Sequence, residues 1–157
     1  MFKVGDKIVY PMYGAGTITD IVESNVLGEL RSYYRVSLPY FKLEASVPVD
    51  NAETVGLRGI IDKSEISEVF EVLSGDSDEM TPNWNRRFRE NTDKLKTGDI
   101  KIVASVVRNL VRADRAKPLS TGEKKLLSTA KQILVSELEC AGSYTAEEAD
   151  ALVESHI

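Results

Sequence analysis

Few residues in this chain could do chemistry, and those few are clustered. The stretch Thr81-Pro82-Asn83-Trp84-Asn85-Arg86-Arg87-Phe88-Arg89 holds the only Trp beside three Arg. Guanidinium groups suit phosphate oxygens, and a flat ring beside them can stack on a nucleobase or wedge against it. A packing role competes. On a helix Trp84, Phe88, Asn91 and Leu95 fall near one face, the pattern of a large side chain anchoring a core. Against packing, Trp84 follows Pro82 by two residues, in the first helical turn, where a side chain can project past the helix end. Both readings stay open from the residues alone. Lys124 and Lys125 add charge at the start of a later helix, whose free N–H groups favour an anion; otherwise Lys125 pairs with nearby acids and Lys124 is solvated. Arg108, Arg112 and Arg115 recur at roughly helical spacing, as a phosphate-contacting strip or as the wet face of an amphipathic helix.

Other chemistries find little support. A lone Cys140 excludes an internal disulfide and any Cys-built zinc site, and the only His, His156, stands in a terminus expected to fray. Glu147-Glu148 and Asp78-Glu79 are carboxylate pairs on acidic stretches with no His or Lys to split their roles. Gly14-Ala15-Gly16 lacks the Lys and the following helix of a phosphate loop and reads as a tight β turn. The expectation is a protein that is not an enzyme, with no cofactor, no metal and no small-molecule substrate.

The chain has 157 residues, 42% hydrophobic and 29% charged, which fits one or two small domains. No apolar run approaches the roughly 18 residues of a membrane span, and residues 1–10 lack a signal peptide's apolar core, so a soluble cytoplasmic protein is expected. The net charge of -5 conceals a strong asymmetry. Residues 1–51 carry 5 positive and 6 negative side chains, residues 52–80 carry 2 and 8, residues 81–132 carry 13 and 5, and residues 133–157 carry 0 and 6. A basic block between acidic ones points to one region that meets a polyanion while the rest avoids it. The acidic total makes binding to free DNA weak and salt-sensitive.

The elements that must position these residues divide into two modules. Residues 1–51 read as β structure, with strands at Lys7-Ile8-Val9-Tyr10, from Thr17 to Val22, from Tyr33 to Leu38 and from Leu43 to Val47. Breakers at Pro11, Gly14, Gly16, Gly28 and Pro39 describe a small barrel or bent antiparallel sheet. Residues 52–80 hold a connecting helix, capped by Asp62 and Glu65 with a stripe of Ile66, Val69, Phe70 and Leu73, and an acidic linker after Gly75. Residues 81–142 read as three helices. Thr81 is the expected N-cap of the first, with Pro82 at its first position and Gly98 at its end. Asp99 caps the second, which buries Ile102, Val103, Val106, Val107, Leu110 and Val111. After Pro118, Ser120 and Glu123 form a capping box for the third, which buries Leu126, Leu127, Ala130, Ile133, Leu134 and Leu138. Residues 143–157 are an acidic tail in which Thr145 and Glu148 can start a short helix to about Glu154. The fold class is α+β, a β module followed by a helical bundle.

This order of features resembles the CarD-like bacterial transcription regulators. The matching residues are Phe2-Lys3-Val4-Gly5-Asp6, Val9-Tyr10-Pro11 with Gly14, Val47-Pro48 and Asn51, then Asn83-Trp84-Asn85-Arg86-Arg87, Leu95 to Asp99, and Leu119-Ser120 with Gly122-Glu123-Lys124. The opening stretch is shared with the polymerase-interacting module of transcription-repair coupling factors; the Trp-Asn-Arg-Arg and Gly-Glu-Lys segments make the match specific. The resemblance implies a Tudor-like N-terminal module docking on the β subunit of RNA polymerase and a helical domain touching promoter DNA, without catalysis. It implies that Trp84 wedges into the minor groove at the upstream edge of the transcription bubble while Arg86, Arg87, Arg89 and Lys124 hold the backbone. Some relatives carry Arg at positions aligning with Ser24 and Ser46, so polymerase contact is expected around Ser24, Ser46, Val47 and Pro48. Arg31, Arg35 and Lys42 are the cations available to compensate. A monomer is expected.

Overall fold

A computed structural model describes residues 1–157. Five strands form one antiparallel sheet in the order β4-β3-β2-β1-β5: β1 (Lys7–Tyr10), β2 (Gly14–Val26), β3 (Glu29–Leu38), β4 (Leu43–Pro48) and β5 (Arg58–Gly59). The sheet bends without closing. Its pairing slips between Ile18 and Asp20, a bulge that increases local twist. Ile8, Ile18, Tyr34, Val36, Leu38 and Val47 bury one face as a small core. β2 and β3 are longer than the alternating pattern indicates, because beyond Val22 they pair only with each other, as a ribbon whose exposed side chains need no apolar alternation. The two-residue β5 carries no periodic signal at all; it exists because β1 offers it an edge.

Five helices follow: α1 (Ile66–Ser74), α2 (Trp84–Lys96), α3 (Ile100–Ala116), α4 (Thr121–Gly142) and α5 (Ala146–His156). Their buried faces form one continuous core, with Val69, Leu73, Leu95, Val107, Leu110, Leu134, Leu138 and Val153 inside it. Asp62 and Glu65 make their reciprocal cap ahead of α1, Asp99 caps α3 by accepting from Lys101 and Ile102, and Thr145 and Glu148 cap α5. Phe70, Ile102 and Leu127 are only half-buried, at the margins of their stripes.

Three local expectations fail for identifiable reasons. The N-cap of α2 is Asn83, not Thr81: the Asn83 side chain accepts from Arg86 N–H at 3.1 Å, whereas the Thr81 hydroxyl accepts from Asn83 N–H. Trp84, not Pro82, is therefore the first helical residue. The capping box of α4 is half made. Ser120 accepts from Glu123 N–H, but the Glu123 carboxylate turns away to a different partner. The C-terminus does not fray. Ala149 and Val153 of α5 are fully buried, and His156 stacks on Phe70 with ring centroids 4.2 Å apart and bonds through Nδ1 to Leu152 O.

The sheet and the helices meet at α4. Gly14 opens β2 at φ 80°, and a Cβ there would lie 2.5 Å from Ser136 Oγ and 3.2 Å from Ile133 Cα. Ser136 Oγ accepts from Ala15 N–H at 2.9 Å and donates to Ile133 O. The turn itself spans Pro11 to Tyr13; the glycines read as turn residues belong to a strand pressed against a helix. Beside this contact the buried Glu137 carboxylate receives both arms of Arg58, at 2.6 and 2.7 Å, and the backbone N–H of Ile61. Arg58 also donates to Gly98 O at the α2–α3 junction.

Removing one member of such a pair is costly, because the other stays desolvated without its counter-charge. Glu137→Leu is expected to lower stability by about 3 kcal/mol, and Gly14→Val by about 1–3 kcal/mol through positive φ and overlap with α4. Urea unfolding checks both; unchanged midpoints would show that the two parts do not lean on this contact.

Candidate nucleic-acid interface

Trp84 begins α2, and its position decides between the two readings left by the residues. It is 57% exposed. Its expected stripe companions Asn91 and Leu95 are buried and Phe88 half-buried, so the stripe is real but Trp84 stands at its open end, where no helix faces it. The anchoring-core reading of Trp84 is thus overturned. The ring lies on an open groove of about 890 Å³ between the start of α2, the end of α3 and the start of α4. Met80, Pro82, Leu119 and Gly122 contribute to its walls, and Lys117 stands on its rim.

The cations around Trp84 differ in how free they are. Arg89, Lys124 and Lys125 are exposed and make no ion pair. Arg86 is exposed and paired with Glu90 one turn on at 2.9 Å, a contact worth little in water. Arg87 is committed: its Nε and Nη2 donate to the two oxygens of buried Glu123 at 2.8 and 2.6 Å, and its Nη1 donates to the carbonyls of Thr81 and Pro82. The hydrogen bonds that Arg87 donates to Glu123, and the charge of that carboxylate, hold the Arg87 guanidinium pKa above its ordinary value against the opposing effect of burial.

The strip suggested by Arg108, Arg112 and Arg115 dissolves. Arg108 is 5% exposed and donates to Val72 O and Asp78, and Arg112 donates to Leu73 O and Gly75 O. These two close the C-terminus of α1, whose last carbonyls lack helical donors. Arg115 reaches Glu154 of α5. Asp78, read as part of an idle acidic pair, is the counter-charge of Arg108 and accepts a hydrogen bond from the Asn109 amide. Lys117 is the groove residue that sequence reasoning missed; its signal was its place before Pro118, at the break between two helices.

On the sheet, register settles where the docking candidates lie. Ser24 pairs with Arg31, and Ser46 pairs with Arg35. Directly opposed residues share a face, so both arginines stand beside the serines, on the side away from Tyr34 and Val36. Arg31 makes only a long, exposed contact to Glu29 at 3.9 Å, and Arg35 makes no ion pair. Lys42 is exposed in a left-handed turn before β4. β4 is a sheet edge. On it Ser46 is exposed, Val47 is buried in the small core and Pro48 is half-buried. The β2–β3 ribbon ends in Leu27-Gly28, both at positive φ, with Leu27 fully exposed and Val26 and Leu30 exposed beside it.

Comparison with known proteins gives the family of this chain. Residues 2–61 match the CarD-like/TRCF RID domain, and residues 68–154 match the CarD C-terminal domain. This chain belongs to the CarD-like family. It is also 39% identical over 140 residues to YdeB of Bacillus subtilis (strain 168), named as a candidate transcription factor, covering 88% of this chain and 91% of that protein. The two matches leave only residues 62–67 between them, the segment that leads into α1 and forms its first two residues. No helix is long and apolar enough to cross a membrane, and no group of three or more His, Cys, Asp or Glu converges as metal ligands would.

With one Trp in the chain, fluorescence reports on Trp84 alone. The free protein is expected to emit at long wavelength and to be quenched readily by acrylamide. Arg108→Ala is expected to cost about 2 kcal/mol by removing a buried side chain and its bonds to Val72 O and Asp78, and Arg89→Ala less than about 0.5 kcal/mol, as read by urea midpoints. Equal losses would contradict the division of these arginines into structural and free.

Proposed function

We propose that this protein is a non-enzymatic transcription regulator that docks on the RNA polymerase β subunit and stabilises or tunes the open promoter complex at the upstream edge of the bubble. The observation carrying this reading is the exposed Trp84 ring at the first position of α2, on a groove that also carries the exposed, unpaired Lys117, with the unpaired Arg89 and Lys124 on the two helices, α2 and α4, that open beside it. A large ring held in water at a helix end, with phosphate-binding groups around it, suits a minor-groove wedge at a junction where base stacking is already broken. The ring must leave before the duplex can close, so its binding favours the open form. Arg86, Arg89 and Lys124 contact the backbone without reading sequence.

Docking uses the face of β3 and the edge of β4. Ser24, Arg31, Arg35, Ser46 and Pro48 border it, while Val47 contributes from the core beneath and offers a partner only its edge backbone. The exposed Leu27 at the ribbon tip supports the same reading, because an L-residue at φ 54° costs about 1 kcal/mol relative to Asn or Gly. Residues 1–51 then form the docking module, 52–80 the connection, 81–142 the DNA-contacting region, and 143–157 a helix that braces it. The protein works as a cytoplasmic monomer, tethered to the nucleoid through polymerase.

The test is promoter-bubble lifetime with purified polymerase. Stacking worth about 1–3 kcal/mol corresponds to a five- to 150-fold shift toward the open form, and Trp84→Ala is expected to abolish most of it while the protein stays folded. An unchanged lifetime would end the wedge reading. Arg31→Glu with Arg35→Glu is expected to weaken capture by polymerase without changing stability. Leu27→Asn is expected to raise stability by about 1 kcal/mol while lowering that capture; a gain in both would remove the tip from the docking surface.

A further inference from the structure

We infer that Glu123, acting through Arg87, is the positioning residue for Trp84, and that Arg87 serves this pair rather than the DNA backbone. The inference rests on the wedge reading above and assigns a role to a buried acid which that reading leaves idle. Glu123 occupies the third position of α4, directly before the exposed Lys124. A glutamate there ordinarily returns to the N-cap backbone, as Glu65 and Glu148 do in their own helices. Glu123 does not: its side chain, 3% exposed, faces Arg87 in a two-pronged contact at 2.6 and 2.8 Å. A local capping rule is broken, and the broken rule marks a place where another demand prevails.

That demand is visible in what Arg87 does next. Its remaining arm takes the carbonyls of Thr81 at 3.2 Å and Pro82 at 3.4 Å, in the non-helical strand of chain that delivers Trp84 to the start of α2. The Trp84 ring is more than half exposed, so little packing fixes it, and the backbone path of residues 81–83 bears directly on where it stands. That backbone is held by Asn83 at the cap and by Arg87 from below, and Arg87 is held by Glu123. The planar fork suits this task, because guanidinium can satisfy a carboxylate and two carbonyls together, which an ammonium cannot do in one plane. With its donors so engaged, Arg87 has little left for a phosphate, and the backbone contacts fall to Arg86, Arg89 and Lys124.

The experiment compares the full-length protein with Glu123→Gln, Arg87→Lys, Arg87→Gln and the exchange Arg87→Glu with Glu123→Arg, using far-UV circular dichroism to confirm folding. In the free protein, Trp84 fluorescence anisotropy is expected to fall in both Glu123→Gln and Arg87→Lys, with the double variant Glu123→Gln with Arg87→Gln no lower than either Gln single. With polymerase, bubble lifetime in both single variants is expected to fall toward that of Trp84→Ala. Its salt dependence should keep the wild-type slope, because a positioning group releases no counterion, whereas loss of a phosphate contact lowers that slope by about one unit. The exchange variant restores an ion pair but leaves no donor at position 87 for the Thr81 and Pro82 carbonyls, so its anisotropy is expected to stay low; full recovery would overturn the role given to Arg87. Unchanged anisotropy in a folded Glu123→Gln protein would overturn the inference, as would a reduced salt slope on replacing Arg87 alone. If Glu123→Gln fails to fold, Arg87→Lys carries the same comparison. Anisotropy is read without polymerase, so a null result for Trp84→Ala on the bubble would sink the wedge and leave the positioning result standing.

Discussion

Two buried glutamates on one helix organise this protein. Glu123 and Glu137 stand 14 residues apart on α4, about 21 Å along its axis and on nearly the same side. Each receives an arginine from another element: Arg87 from the start of α2 and Arg58 from the edge of the sheet. Burying carboxylates is expensive, and a hydrophobic pair of equal volume could stabilise as well. What an ion pair adds is direction. Arg58 can satisfy Glu137 only when the sheet lies against α4 and Gly98 is within reach, and Arg87 can satisfy Glu123 only when residues 81–83 follow one path. The seating of the sheet on α4, and the tie between α4 and the start of α2, follow from where α4 keeps its acids.

The same logic explains why so many arginines of the basic block are not at the surface in any useful sense. Arg108 and Arg112 replace the missing donors at the end of α1, and Arg115 with Lys131 fastens α5 through Asp150 and Glu154. The acidic segments flanking the block are partly the counter-charges of its internal cations. After that internal pairing, Arg89, Lys117, Lys124 and Lys125 remain exposed without an ion pair, Lys117 on the Trp84 groove, while Glu71, Asp76, Glu79 and Glu147 on α1, its linker and α5 are unpaired acids.

The sheet shows a comparable transfer of charge between strands. Ser24 and Ser46 carry no charge, but cross-strand pairing sets Arg31 and Arg35 directly beside them. One face tolerates such an exchange because opposed residues lie about 5 Å apart and point the same way. A β-sheet surface is a two-dimensional pattern, and a residue lost from one row can reappear in the next without moving the patch.

Periodicity, breakers and caps determined the elements from the sequence alone. The alternating residues of β1, β3 and β4, the stripes of α1, α3 and α4, and the caps at Asp62, Asp99 and Thr145 are local physics, set by neighbours within a few residues. The concentration of Trp84 with Arg86, Arg87, Arg89 and Lys124 was equally legible as a region. Tertiary structure decided which of those side chains are free. Whether Trp84 packs or projects depends on the absence of a facing helix, whether Arg87 is available depends on Glu123 36 residues away, and Arg108 is a capping group only because α1 ends beside it. No local pattern encodes β5, which needs the edge of β1, or the burial of α5, which needs the surface made by α1 and α4. Local sequence sets what each segment prefers to be; long-range pairing of buried charge sets what each side chain is left to do.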